Sequence, residues 1–396
     1  MKYLLPIILA LSVTAATADD WRQFRGNNVD GLATGNTASY PKKFNGEESI
    51  AWKMPLPGQG VSSPVIVGGN VYVSCSSGVK EDRLHVICFD EGDGSKKWER
   101  QFWATGRTMC HEKTAVAAPT PASDGERLFV LFSSNDLIAL DLDGNLLWMR
   151  GLTVDYPNAS NSLGLATSPI LVDGVLVVHV ENDSESFAAG IDPVTGTNLW
   201  KIPRAKKANW CSPVALGKTV ILQGSAGLDG VDAKTGKILW SFDKGASTIP
   251  SCVVSADGTV YSPSNGLTAM KPNAMNELNE LWEVGSLRPG TASPIVIGDK
   301  VYVINGAAVL NAAEADTGEK LWKTRLEGPF SGSPVAAGNF LYVFAEKEGL
   351  GQVVDLSGDE GKVTGTVALG EMILCTPALA NGAVFVRSDA HLWKLR

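Results

Sequence analysis

The sequence predicts an all-β fold, an eight-bladed β-propeller with four-stranded blades, in which an N-terminal strand completes the last blade. Three observations lead there. A Ser/Thr-Pro step followed by a turn and a β-rich run recurs along the chain, and a Thr-Gly or Asp-Gly turn leading to Trp recurs between those steps. The last unit is one strand short, while a strand near the start has no unit of its own. Self-similarity at a period of roughly 20–50 residues is the mark of arrays and propellers.

The first signal runs through Ser63-Pro64, Thr120-Pro121, Ser168-Pro169, Ser212-Pro213, Ser293-Pro294, Ser333-Pro334 and Thr376-Pro377. In each, the β run begins seven residues after the proline, as Val71-Tyr72-Val73 does after Pro64. A degenerate copy, with Cys252-Val253 in place of Ser-Pro ahead of Val260-Tyr261, brings the count to eight. With Val253 in the proline's place, successive anchors are 57, 48, 44, 40, 41, 40 and 43 residues apart. Four short strands and their turns consume about 40–45 residues, the length of one propeller blade.

The second signal lies in the other half of each unit. Asp192 to Trp200 and Asp232 to Trp240 share the spacing D-x-x-T-G-x-x-L-W, and Glu314 to Trp322 keeps all of it but the first acid. Looser copies end at Trp98, Trp148 and Trp282. Glycine tolerates positive φ and a short polar residue bonds the turn backbone, so each copy is a tight turn between two strands. The tryptophan then falls on the outer strand, where a large flat side chain fills the wedge between blades. Recurrence at one place in each unit favours structural docking by Trp98, Trp148, Trp200, Trp240, Trp282 and Trp322 over a ligand-stacking platform.

The third signal is at the ends. Cys375 to Arg396 has room for three strands, and Glu48 to Lys53 reads as the missing fourth. Closing the ring in this way removes exposed strand edges. The domain plan is therefore 1–18 as a signal peptide, 19–45 as an N-terminal lead and 46–396 as one propeller.

Composition agrees. The chain is 44% hydrophobic and 19% charged, with 42 Gly, 20 Pro and a net charge of −8. Acids outnumber bases and no basic run occurs, which argues against a nucleic-acid partner. Met1-Lys2-Tyr3, the apolar run Leu4 to Val13 and Ala16-Thr17-Ala18 read as a signal peptide cleaved after Ala18, so the protein is expected to be periplasmic or extracellular. The run is shorter than the ~20 residues that span a bilayer, so no transmembrane segment is expected. Without a cysteine at the cleavage point it is not expected to be a lipoprotein. The six cysteines, Cys75, Cys88, Cys110, Cys211, Cys252 and Cys375, form no C-x-x-C, and most are read as small buried strand residues. Cys211 and Cys375 would sit on inner strands of opposite blades, too far apart to pair.

These repeats resemble the PQQ-like, or quinoprotein-type, β-propeller repeat, whose docking motif is A-x-D-x-x-T-G-x-x-x-W. Gly190 to Trp200 and Gly230 to Trp240 match it best, each with Gly in place of the leading Ala. Trp21 to Gly26 also resembles the W-x-x-F-R-G opening of exported members. The resemblance implies two branches of function. Quinoprotein dehydrogenases hold the quinone PQQ over a tryptophan floor beneath a vicinal disulfide, with a calcium ion and an Asp base. This chain has no adjacent cysteines, and no acid matches that site one by one, so no catalytic, cofactor-binding or metal residue is assigned. The other branch is similar to the propeller subunit of the outer-membrane β-barrel assembly machinery, which binds partners without an active site. The expected function is a non-catalytic binding or scaffold module, monomeric, with a protein partner in the cell envelope or a small ligand. A PQQ- and calcium-dependent dehydrogenase is the alternative.

Longer insertions, Ser76 to Arg83, Gln101 to Ala118 and Leu152 to Ala166, all fall where loops of a four-stranded blade leave one face. Loops of this length carry function disproportionately. The expected partner-binding face includes Arg107, His111, Glu112, Lys113, Tyr156, Glu181, Asn182 and Asp183. Cys110-His111 is not read as a nucleophilic pair, because sequence neighbours on a loop seldom point together. With four histidines, two of them in apolar strands, a His-rich metal site is not expected.

Overall fold

Runs such as Asn70–Ser77 and Arg83–Asp90 are buried at every position but their ends, on both faces of the strand. Such strands need a neighbouring layer on each side, which a closed ring of sheets provides. The computed structural model describes residues 19–159 and 163–396; the segment read as a signal peptide, 1–18, lies outside them. Among the described residues there are eight four-stranded antiparallel sheets, one per blade. Blade one is Val65–Val67, Asn70–Ser77, Arg83–Asp90 and Lys96–Trp103, from the axis outward, here strands A to D. Blade eight takes its A to C strands from Ala378–Ala380, Ala383–Arg387 and His391–Leu395, and its D strand is Ile50–Pro55, with Lys53 opposite Trp393. The expected closure is present, beginning two residues later than Glu48.

The Ser/Thr-Pro steps form a hydrogen-bonded belt around the axis. The N–H of Ser63 donates to Thr120 Oγ1 at 2.9 Å, Thr120 to Ser168 Oγ at 3.0 Å, and Ser168 to Ser212 Oγ at 2.9 Å. The chain of bonds continues from Ser212 to Ser251, Ser251 to Ser293, Ser293 to Ser333 and Ser333 to Thr376. Proline suits the next position because it carries no N–H that would need a partner there, and it holds the preceding residue extended. The eighth link is not made: the buried Ser63 Oγ has no partner, and this is the seam between blades eight and one.

The belt corrects one register. Ser251 is the belt member of blade five, so Cys252, not Val253, stands where the other blades have proline. The discrepancy lies in the turn after the A strand. Val253 pairs with Tyr261, whereas in blade four Val214 pairs with Ile221, so blade five has one extra residue there. Cys211 and Cys375 lie just before their A strands rather than on them. All six cysteines are free thiols, five of them buried.

The outer halves of the units meet across blade boundaries. Trp98, Trp148, Trp200 and Trp282 donate their indole N–H to Leu142, Pro193, Ala233 and Ala315 O of the next blade at 2.8–3.1 Å. Trp52 does the same to Glu91 O at 3.2 Å across the seam. The acceptor is each time the residue after the acid that opens the D-x-x-T-G turn or its looser copy. Trp240 and Trp322 are not among these donors; the turn that faces Trp240 has Lys271-Pro272 in place of the acid, whereas the turn that faces Trp322 keeps Asp355. The leading small residue of the motif pairs with the tryptophan of its own blade: Gly190 with Trp200 and Gly230 with Trp240. A Cβ at Gly230 would lie 2.1 Å from the Trp240 ring, which is why glycine replaces alanine beneath the two most deeply set of these indoles.

The lead segment belongs to the same body, running across the turns between A and B strands. Trp21 bridges to Ile66 in blade one, Arg22 O accepts from Ser123 N–H in blade two, and Gln23 Oε1 accepts from Leu171 N–H in blade three. Arg25, fully buried, donates to Cys252 O and Pro294 O in blades five and six. Gly31 and Ala33 bond Ala336 in blade seven, and Asp19 N–H reaches Asn381 in blade eight. Burial lowers the Arg25 guanidinium to about 10, with Asp30 opposing the shift, so it stays charged at neutral pH.

Candidate functional site

The belt forms the wall of an axial funnel of about 350 Å³. It opens on the face where B–C loops and blade-to-blade loops emerge. Phe24, carried by the lead segment from the opposite face, reaches its lining, as do the belt hydroxyls. His111, Lys113, Leu163, Trp210, Ile249 and Leu374, all on blade-to-blade loops, complete the mouth. Most belt hydroxyls accept an N–H from a neighbouring blade and keep an O–H of their own to donate, so together with Ser63 Oγ they make the wall polar.

The loops over blades one and two are held by Glu81. Its Oε2 accepts from Ser76 Oγ at 2.7 Å and Val116 N–H at 2.9 Å, while Cys110 Sγ lies 3.8 Å from Oε1. Burial, and then the Glu81 charge, pushes the Cys110 thiol up to about 11, which makes it a poor nucleophile at neutral pH. His111 N–H bonds Leu163 O, tying together the loops that follow blades one and two. Lys113 reaches across to blade seven and pairs with Glu346 at 3.1 Å. Arg107, His111, Glu112 and Lys113 are exposed on the loop after blade one, His111 and Lys113 at the mouth itself.

The remaining residues of the expected face lie elsewhere. Tyr156 packs at a tilt against Phe187, ring centroids 4.7 Å apart, accepts from Asn198 Nδ2 and lies under Lys201, on the flank between blades two and three. Glu181 and Asn182 are each 2% exposed and present no side-chain surface to a partner. Glu181 is paired with His179 and Arg204, and Asn182 closes the Glu181–Ser186 turn through Ser184, Glu185 and Ser186. Asp183, beside them, is exposed. Alternation along a strand does not reveal which loop residues turn inward, and a charged loop residue reads as surface until a buried counter-ion is seen.

Sequence reasoning missed Phe24, Trp210 and the apolar character of the mouth. Met109, Leu163, Ile249 and Met372 are large apolar side chains exposed on this face, the last two at 48% and 51%. Their loops carry no repeat pattern from which this could be read.

The residues do not fit a quinone with calcium. Among the described residues no three His, Cys, Asp or Glu side chains converge to hold a metal ion, no adjacent cysteines exist, and the funnel is lined by Phe24, Trp210 and a ring of hydroxyls with no carboxylate among them.

A family model described as outer membrane protein assembly factor BamB matches residues 44–189 and 273–364. BamB of Burkholderia pseudomallei is 29% identical over 124 residues, 31% of each chain. The matches span between 31% and 53% of the curated relatives' own lengths. Among solved structures, BamB from Moraxella catarrhalis has a TM-score of 0.64 at 17% identity, covering 88% of this chain and 97% of that one. A europium-containing methanol dehydrogenase has a TM-score of 0.69 at 14% identity, covering 94% and 90%. At these identities the structural likeness speaks for the fold.

Proposed function

The chain belongs to the family whose model is described as outer membrane protein assembly factor BamB, and from that membership we propose an exported binding or scaffold propeller of the periplasm or cell envelope. Its work is done by contact with a protein partner, and no chemistry takes place in the funnel. The observation that carries this reading is the mouth itself: exposed apolar side chains at Leu163, Ile249 and Met372 stand among Arg107, His111, Glu112 and Lys113, on loops fastened to one another. Apolar anchors within a charged rim are the usual make-up of a protein-binding patch. Burial of Glu181 and Asn182 moves the proposed surface toward the axis, away from blade three. Among the described residues no helix is long and apolar enough to cross a membrane, and delivery to the envelope rests on the leader read in residues 1–18.

Capture of partners from envelope extract tests the reading. Ile249→Asp combined with Lys113→Glu is expected to lose the partner, while Leu199→Asp on the outer flank retains it. Retention by both would refute the surface. Titration with the quinone and calcium, followed by absorbance and dye reduction, is expected to show neither saturation nor turnover, and turnover would restore the dehydrogenase reading.

A further inference from the structure

Blade one holds a serine, a histidine and a glutamate in series on one face of its sheet. Ser77 ends the B strand, His85 lies in the C strand and Glu99 in the D strand. Ser77 is opposite Arg83 and His85 is opposite Gln101, so each of the three is diagonal to the next, within reach for long side chains. Ser77 Oγ is 2.7 Å from His85 Nε2, and His85 Nδ1 is 2.9 Å from Glu99 Oε1. We propose that Ser77, His85 and Glu99 form a hydrolytic triad that cleaves short-chain carboxylic esters.

The protonation states follow from the contacts. Burial works to raise the Glu99 carboxyl, but hydrogen bonds from Lys96, His85 and Gln101 outweigh it and hold the group down at about 2. An ionised carboxylate only accepts, so in the neutral imidazole that the reaction uses Nδ1 carries the proton and the Nε2 lone pair faces the Ser77 hydroxyl. His85 is 3% exposed while Ser77 is partly exposed, which shields the base and leaves the nucleophile within reach of solvent. The turn after the serine is open. Gly78 has φ +89° and Val79 is fully exposed. Among the described residues the one backbone hydrogen bond within residues 78–82 runs from Glu81 N–H to Gly78 O, which leaves the Gly78 and Val79 N–H groups as donors for an oxyanion. Arg83, Gln101, Phe102 and Trp103 line a neighbouring cavity of about 120 Å³, room for a short acyl chain.

In the first step Ser77 Oγ adds to the ester carbonyl carbon as its proton passes to His85 Nε2. The bond to the alcohol oxygen then breaks, and His85 returns that proton to the departing alkoxide. Water adds to the acyl-serine with His85 again taking and returning one proton, which releases the carboxylic acid and restores Ser77. Glu99 touches no reacting atom and is a positioning residue. This activity is separate from the funnel mouth, so its failure and the failure of the binding role are read independently.

The test uses the purified full chain with p-nitrophenyl acetate and a fluorophosphonate probe, with labelled peptides mapped by mass spectrometry. A single adduct on Ser77 and saturable hydrolysis are expected. Ser77→Ala should lower kcat/KM by at least about a hundredfold while the chain stays folded, with a modest drop in melting temperature from the bond lost at His85. Glu99→Gln should lower kcat while KM is held, a split that a purely structural residue would not produce. An adduct elsewhere, no adduct, or full turnover by Ser77→Ala would overturn the proposal. Labelling of the unmodified chain decides the matter even where a variant folds poorly.

Discussion

Cys252 N–H donates to Gln223 Oε1 at 2.7 Å, a bond made where the other blades have a proline with no N–H to satisfy. Gln223 is fully buried, and its Nε2 is bonded in turn to Ser247 and Pro250 O. One departure from the repeat is therefore matched by a second, on the neighbouring blade.

Gln223→Leu should destabilise the protein by about 1–3 kcal/mol, since it orphans a buried N–H. Part of that loss should vanish in Gln223→Leu combined with Cys252→Pro, because no donor then remains at residue 252. Urea denaturation of the four proteins of the cycle measures the coupling, and strict additivity would argue against the pairing.

The belt makes a matching distinction. Ser168→Ala leaves the Thr120 N–H without its acceptor and should cost about 1–3 kcal/mol, whereas Ser63→Ala removes a hydroxyl that has no partner and should be nearly neutral. Equal denaturation midpoints for the two variants would contradict the open seam.

Trp200→Ala should cost about 3–5 kcal/mol, the scale for truncating a buried aromatic. Gly230→Ala should also destabilise, by about 1–3 kcal/mol, because its Cβ would fall within the Trp240 ring. Thermal melts check both, and a shift no larger than that of a surface substitution would remove the indoles from the inter-blade contact.

Much of this was readable from the sequence because repetition leaves a periodic trace. The Ser/Thr-Pro steps, the Thr-Gly turns and the spare strand before Lys53 each mark a place in a blade, and the blades follow. The one-residue error at Cys252-Val253 arose because the β run, not the belt, was used to align a unit that lacks proline. The site was less legible. His111 and Lys113 lie at the mouth, but Glu181 and Asn182 turn inward, Glu181 to His179 and to Arg204 on the next connection and Asn182 to Ser184, Glu185 and Ser186 within its own turn, and residue types alone do not reveal which way such a loop faces. Phe24 was visible within Trp21 to Gly26, yet nothing local shows that the lead segment passes under the axis.

Acid sensitivity should centre in part on Glu181. Burial works to raise its carboxyl, but His179 and Arg204 outweigh it and hold it below the ordinary 4.5. The folded state therefore binds this proton less readily than the unfolded chain. Its stabilisation is complete above the ordinary carboxylate range and fades as pH falls through the depressed folded value. The drop in urea midpoint from about pH 7 to about pH 3 should be larger for the unmodified protein than for Glu181→Gln. Equal drops would contradict the assignment.

The central claim is that the funnel mouth is the surface that meets a partner. A photo-crosslinking amino acid placed at Ile249, on the mouth, and separately at Leu199, on the outer flank, tests it in intact cells. The account predicts a discrete envelope-protein adduct from position 249 and none from position 199. The same adduct from both positions, or one from position 199 alone, would contradict it.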